Sequence, residues 1–233
     1  MSNSDRLRKD RKGTVINLSS KKMESQLGIA LLKATDRIRD DFDVDLIHEK
    51  QVYLREIVEQ LKAVYPEITF EYGLDTSSLL PDGGIVYMKS KDGSRHVVLI
   101  SEAKRQGTND ARAAEGLKKQ AKGNAIERLG KNVTGFRMWL STEGIFPFVV
   151  FGQGVDFEDG SSILDRVATI AMFAPLNKIE VLNVGEDSRF NRGSFFFRSK
   201  AWEVSEMEEV MYEILKRSIY YYFAKHGESA FKA

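Results

Sequence analysis

Residues 79–104, LLPDGGIVYMKSKDGSRHVVLISEAK, read as strand, turn, strand. Asp92-Gly93 supplies the turn, since glycine accepts the left-handed backbone that tight hairpins use. In the second strand, VVLI (97–100) is apolar at consecutive rather than alternate positions. That pattern belongs to a strand covered on both faces, near the centre of a sheet. Such a strand needs a layer of structure on each side. A chain of 233 residues, 42% of them hydrophobic, is long enough to supply both.

The flanking segments provide those layers. LGIALLKATDRI (27–38) and YLREIVEQLKAVY (53–65) carry apolar residues at helical spacing, and Pro66 ends the second. ITFEY (68–72), FPFVVFG (146–152), KIEVLNV (178–184) and SFFFRS (194–199) read as strands. Residues 111–131 and 162–173 read as helices. Met207, Val210, Met211, Ile214 and Leu215 form the stripe of a C-terminal helix, with Ser205 and Glu208 in capping-box spacing and Gly227 at its end. The expectation is one α/β domain over 23–233, a central mixed sheet flanked by helices. Residues 1–22 lack apolar periodicity and are expected to be a mobile basic arm.

Bulk properties narrow the function. No cysteine is present, so disulfides and thiolate zinc sites are excluded and a cytoplasmic location is expected. No apolar run approaches the roughly 18 residues of a membrane span. No G-x-x-x-x-G-K-[ST] motif occurs, so ATP is not expected as a partner. Net charge is only +1, so affinity for a polyanion must come from local clusters. Residues 1–22 hold seven Lys/Arg against two acids, and 104–131 hold eight against three.

A hairpin turning at Asp92-Gly93 places Asp82 opposite Ala103. Glu102 and Lys104 are then its diagonal neighbours on one face. Two adjacent carboxylates repel each other unless a cation intervenes. Oxygen ligands without Cys or His favour Mg²⁺, which activates water and stabilises charge on a phosphoryl oxygen. A lysine beside it can orient or deprotonate the water. The same residue types also make a turn aspartate and a surface ion pair, so the spacing alone leaves both readings open.

PD at 81–82 and EAK at 102–104 form the PD-(D/E)xK pattern of a nuclease superfamily. Together with PDGGIV (81–86), VVLISEAKRQG (97–107), GNAIER (123–128), Lys131-Asn132 and FPFVVF (146–151), the chain resembles the EcoRI-type restriction endonucleases. The resemblance implies a restriction-endonuclease-like core and a homodimer that cuts both strands of a palindromic DNA site with Mg²⁺. It implies Asp82, Glu102 and Lys104 as catalytic residues, and Asp82, Glu102 and the Ala103 carbonyl as metal ligands. It also implies a recognition segment comprising Gln120, Ala121, Lys122, Gly123, Asn124, Ala125, Glu127 and Arg128, with Arg166 in a second recognition element. Lys118, Lys119 and Lys131 are expected on phosphates. A companion DNA methyltransferase is expected in the same system.

Asparagine suits adenine because its amide pairs with N6 and N7. Asn124 also suits a helix N-cap with Glu127 at N3, and the two roles are compatible. Gln120-Ala121-Lys122 departs from the Met-Ala-Ala of the family prototype, and Thr169 replaces an arginine. The resemblance implies an AATT core, and these departures leave GAATTC, RAATTY and bare AATT all open. A structure-specific or repair nuclease, or a non-catalytic DNA-binding module, are the competing readings.

Overall fold

The computed structural model describes residues 13–106, 114, 116, 124–158, 160–183, 185 and 190–232; for 13–19, 124 and 125 it describes the backbone alone. In chain order the elements are α1 (Gly13–Phe42), β1 (Leu46–Glu49), β2 (Val52–Tyr53), α2 (Leu54–Val64), β3 (Ser78–Leu79), β4 (Gly84–Lys89) and β5 (Arg95–Arg105). There follow α3 (Asn124–Trp139), β6 (Phe148–Gln153), α4 (Ser162–Ile170), β7 (Ser194–Arg198) and α5 (Val204–His226). Five strands form one sheet in the order β1-β4-β5-β6-β7, and β2 and β3 pair separately. β1, β4 and β5 are antiparallel, while β5, β6 and β7 are parallel. The sheet is therefore mixed, and β5 is its middle strand, as the VVLI run requires.

Each face of the sheet has its own core. One contains Leu27, Leu31 and Ile38 of α1 and Met207, Met211, Ile214 and Leu215 of α5, packed on Val86, Leu99, Val149 and Phe196. The other contains Ile57 and Leu61 of α2, Leu129, Val133 and Phe136 of α3 and Val167 of α4, packed on Ile85, Ile100, Phe148 and Phe195. Among the described residues, no helix is long and apolar enough to cross a membrane.

The hairpin departs from the expected register twice. Its loop has three residues, with Ser90 N–H donating to Ser94 O at 2.9 Å and Gly93 at φ 88°. Pairing then runs Lys89↔Arg95, Met88↔His96 and Tyr87↔Val97. A β-bulge between Val86 and Tyr87 adds one residue to β5, and Val86↔Leu99, Ile85↔Ile100 and Gly84↔Ser101 follow. These last pairs are the ones a two-residue turn predicts, because the longer loop and the bulge offset each other. The bulge also sets which way β5 faces. Val97 and Ile100 share the α3 side of the sheet despite their odd separation, and Val98 and Leu99 lie on the other.

Several expected elements are corrected. α1 begins at Gly13 and runs unbroken to Phe42, so the expected arm boundary at residue 22 falls inside a helix. Met23, Leu27, Ala30, Leu31, Ala34 and Ile38 are its buried stripe, and the helix extends upstream of that stripe. Residues 1–12 lie outside the described residues. ITFEY is not a strand: only Phe70 packs inward, and Ile68 and Tyr72 are exposed. Among the described residues of KIEVLNV, 178–183, a single bridge forms, Leu182 to Ile145. α4 ends at Ile170, and Met172 and Phe173 take left-handed φ values of 53° and 61°. The capping box of α5 is Glu203 with Glu206, two residues before the expected pair, and Arg198 Nη1 also holds Glu206 Oε1 at 2.9 Å.

Candidate active site

The bulged hairpin carries Asp82 and β5 to the same place. Gly84 N–H closes the Pro81–Gly84 turn onto Pro81 O at 3.0 Å, and Gly83 N–H donates to Ser101 O at 2.9 Å. His48 Nε2 lies 2.9 Å from Gly83 O and fastens the turn to β1. Only glycine fits at 84, where φ is +81° and a Cβ would overlap the His48 ring and the Glu49 carbonyl. Asp82 is thereby held against the C-terminal half of β5.

Asp82, Glu102, Ala103 and Lys104 are brought together. Asp82 N–H donates to Glu102 Oε2 at 3.1 Å, and Ala103 N–H donates to Asp82 Oδ2 at 3.2 Å. Lys104 Nζ donates to Asp82 Oδ2 at 3.0 Å, to Ala103 O at 3.1 Å and to Glu102 Oε1. The Glu102 side chain is 2% exposed and that of Lys104 13%. Burial raises the Glu102 carboxyl pKa, against the pull of the Lys104 ammonium. Burial works to lower the Lys104 pKa, but Glu102 and Asp82 outweigh it and the pKa is raised. Lys104 is therefore held as the ammonium.

Three oxygens thus converge on one cation: Asp82 Oδ2, Glu102 Oε1 and Ala103 O. They are the oxygens expected to ligate a metal. Among the described residues, no three or more His, Cys, Asp or Glu side chains gather as a metal site. A divalent ion placed here would meet two carboxylates and a carbonyl. That oxygen-only set fits Mg²⁺, which usually keeps several waters and takes one or two carboxylates. For the same oxygens to bind it, the ammonium must move aside.

Asn132 of α3 belongs to the Lys131-Asn132 pair that carries part of the family resemblance, but the sequence attaches no role to it. Its Nδ2 donates to Glu102 Oε1 at 3.2 Å. The available signal was positional: Asn124, Arg128 and Asn132 fall on one i, i+4, i+8 ridge of a helix.

The expected recognition residues are only partly covered. Lys118, Lys119, Gln120, Ala121, Lys122 and Gly123 lie outside the described residues. Asn124 opens α3 and Ala125 follows it; their side chains also lie outside. Glu127, Arg128 and Lys131 are exposed on α3. Arg166 is exposed on α4, which Ser161 caps through Oγ, accepting Leu164 N–H at 3.1 Å. The two helices touch: a Cβ at Gly130 would sit 3.5 Å from Ile170 Cδ1.

Comparisons with known proteins bear on this site. The family model described as "Restriction endonuclease EcoRI" matches residues 11–227. The chain is 29% identical over 196 residues to "Type II restriction enzyme RsrI" of Cereibacter sphaeroides, covering 70% of this chain and 71% of that one. It is 38% identical over 110 residues to "Type II restriction enzyme EcoRI" of Escherichia coli, covering 44% of this chain and 40% of that one.

Proposed function

The chain belongs to the EcoRI restriction endonuclease family and is a type II restriction endonuclease, and from that premise we propose which site it cuts and which residues cut it. The substrate is double-stranded DNA with a palindromic AATT core, as GAATTC, RAATTY or AATT. Cleavage leaves 5′-phosphate ends with four-nucleotide 5′ overhangs. The observation that carries the assignment of residues is the convergence of Asp82 Oδ2, Glu102 Oε1 and Ala103 O on a single cation.

In this reading those three oxygens hold Mg²⁺, which supplies charge stabilisation at the phosphoryl group and an acidified water. Ala103 N–H holds Asp82 Oδ2 and Asp82 N–H holds Glu102 Oε2, one bond to each carboxylate. Lys104 leaves the carboxylates for the attacking water or the scissile phosphate. There its ammonium offsets developing negative charge. Its burial places this charge where water screens it little.

Gln120, Ala121, Lys122, Gly123, Asn124, Ala125, Glu127 and Arg128 form the reading segment, supported by Arg166. Asn124 and Arg128 address the central adenines, and Gln120-Ala121-Lys122 sets the outer base pair. Lys118, Lys119 and Lys131 contact phosphate, positioning the duplex without specifying it. The basic residues before α1 add to the same electrostatic footprint. A homodimer matches the two-fold symmetry of such a site. The protein acts in the cytoplasm beside a DNA methyltransferase that protects host sites.

Digestion of plasmid DNA with Mg²⁺, followed by sequencing of the fragment ends, tests this reading. Discrete ends within AATT-containing palindromes support it. Ends at unrelated sequences, or at junctions and flaps alone, reject it.

A further inference from the structure

We propose that Asn132 is a positioning residue that ties the DNA-reading end of α3 to the metal-binding carboxylate of Glu102; this rests on the function proposed above. Glu102 lies on the middle strand of the sheet and its side chain is almost wholly buried. Its Oε2 is taken by Asp82 N–H at 3.1 Å. Its Oε1 accepts from two groups, Lys104 Nζ and Asn132 Nδ2. Asp82 and Lys104 belong to the hairpin. Asn132 belongs to α3, the helix that Asn124 opens.

A carboxylate oxygen has two lone-pair directions. With Asn132 on one, the other points to the position now filled by the ammonium. A metal replacing that ammonium can use the vacated direction while the Asn132 bond persists. Asn132 therefore sets the rotation of the Glu102 carboxylate at the moment the cation changes. Without it, Oε1 keeps its charge but loses a direction.

The position of Asn132 on α3 gives this bond its second role. Asn124 opens the helix, Arg128 is one turn on, and Asn132 one turn further on the same ridge. The span from Asn124 to Asn132 is about 12 Å of continuous helix. Ile126, Leu129 and Val133 are buried against the sheet, so this stretch moves as a body rather than bending. A mismatched base that shifts or rotates the first turn shifts Nδ2 against Oε1. Reading and metal geometry are thereby linked through one side chain.

The test compares wild type with Asn132→Ala, in the full-length protein on an AATT-core duplex and on a single-mismatch duplex. Mn²⁺ affinity of the protein–DNA complex is read by electron paramagnetic resonance titration, a readout separate from cutting. Removing an outer partner of a metal ligand commonly weakens metal binding about 10–100-fold, and a loss in that range is expected here. Metal-free affinity for the AATT duplex stays within threefold of wild type, while the ratio of single-turnover cleavage rates on the two duplexes narrows. Alanine is favourable in a helix, so folding is expected to persist; Asn132→Leu, similar in shape and lacking the donor, provides an independent check by the same titration. Mn²⁺ affinity within threefold of wild type in either folded variant overturns the inference. Wild type that binds no Mn²⁺ and cuts neither duplex overturns the proposed function instead.

Discussion

Ala103 N–H donates to Asp82 Oδ2 at 3.2 Å, joining residues 21 apart in sequence. Lys104 Nζ donates to the same oxygen, while the turn itself is held by backbone bonds, Gly84 N–H to Pro81 O and Gly83 N–H to Ser101 O. Asp82→Ala is therefore expected to leave the hairpin paired and the fold intact. Cleavage in Mg²⁺ should fall at least about 100-fold, while metal-free DNA binding persists. Circular dichroism, a binding titration and a cleavage time course on one preparation check all three.

Two glycines at positive φ should respond differently to alanine. At Gly93, φ is +88° and a Cβ meets open space, so Gly93→Ala costs only the strain of the left-handed backbone, about 1–2 kcal/mol. At Gly84, φ is +81° and the Cβ collides with His48 and the Glu49 carbonyl. Gly84→Ala should cost more than Gly93→Ala and also displace the turn that carries Asp82. Denaturant midpoints and cleavage rates separate the two: Gly93→Ala cuts normally and Gly84→Ala does not.

The Glu206 carboxyl is held down at about 2 by its hydrogen bond with Arg198 and by Glu203 N–H. A folded value below the ordinary 4.5 means stability that is present above 4.5 and lost as pH falls towards 2. Glu206→Gln should thus unfold more readily than wild type at pH 7, with the gap closing as the pH is lowered. The side chain is partly exposed, so the gap at pH 7 stays below about 1 kcal/mol. Denaturant midpoints measured from neutral to acid pH test it.

Phe148 is fully buried, with rings of Phe136, Phe146 and Phe195 within 6.3 Å. Phe148→Ala should lower stability by about 3–5 kcal/mol. Equilibrium unfolding of the purified variant measures this.

Lys122 is expected at the outer base pairs, where the chain departs from the prototype. Lys122→Ala should change the preference there and leave the salt dependence of binding nearly constant. A phosphate contact would do the reverse, reducing the slope of log affinity against log salt by about 1. Cleavage of duplexes differing only in the outer pair, at two salt concentrations, tells these apart.

The site is legible in the sequence where the signal is local. PDGG is the turn that leads into β4 and EAK lies on β5, the strand announced by VVLI, and their register survives because a longer loop and a bulge cancel. Neither deviation can be read from residue types: Val98 looks like its apolar neighbours. β1 has four residues, too few to show a period, and its role is clear only from pairing with β4. KIEVLNV has the composition of a strand but finds only one bridge among its described residues, because strand propensity depends on a partner edge. Asn132 stands in the Lys131-Asn132 pair of the family pattern, yet its role is not legible there. A lone helix asparagine carries no chemical signal until the fold sets it beside Glu102.

Asp82, Glu102 and Lys104 are proposed to cut DNA at an AATT core. Single-turnover cleavage of two labelled palindromic duplexes in Mg²⁺, identical except for AATT or TTAA at the centre, tests it with wild type and Glu102→Ala side by side. Wild type is expected to cut the AATT duplex alone, and Glu102→Ala to bind it without cutting. Equal cutting of both duplexes, or cutting by Glu102→Ala at the wild-type rate, would contradict it.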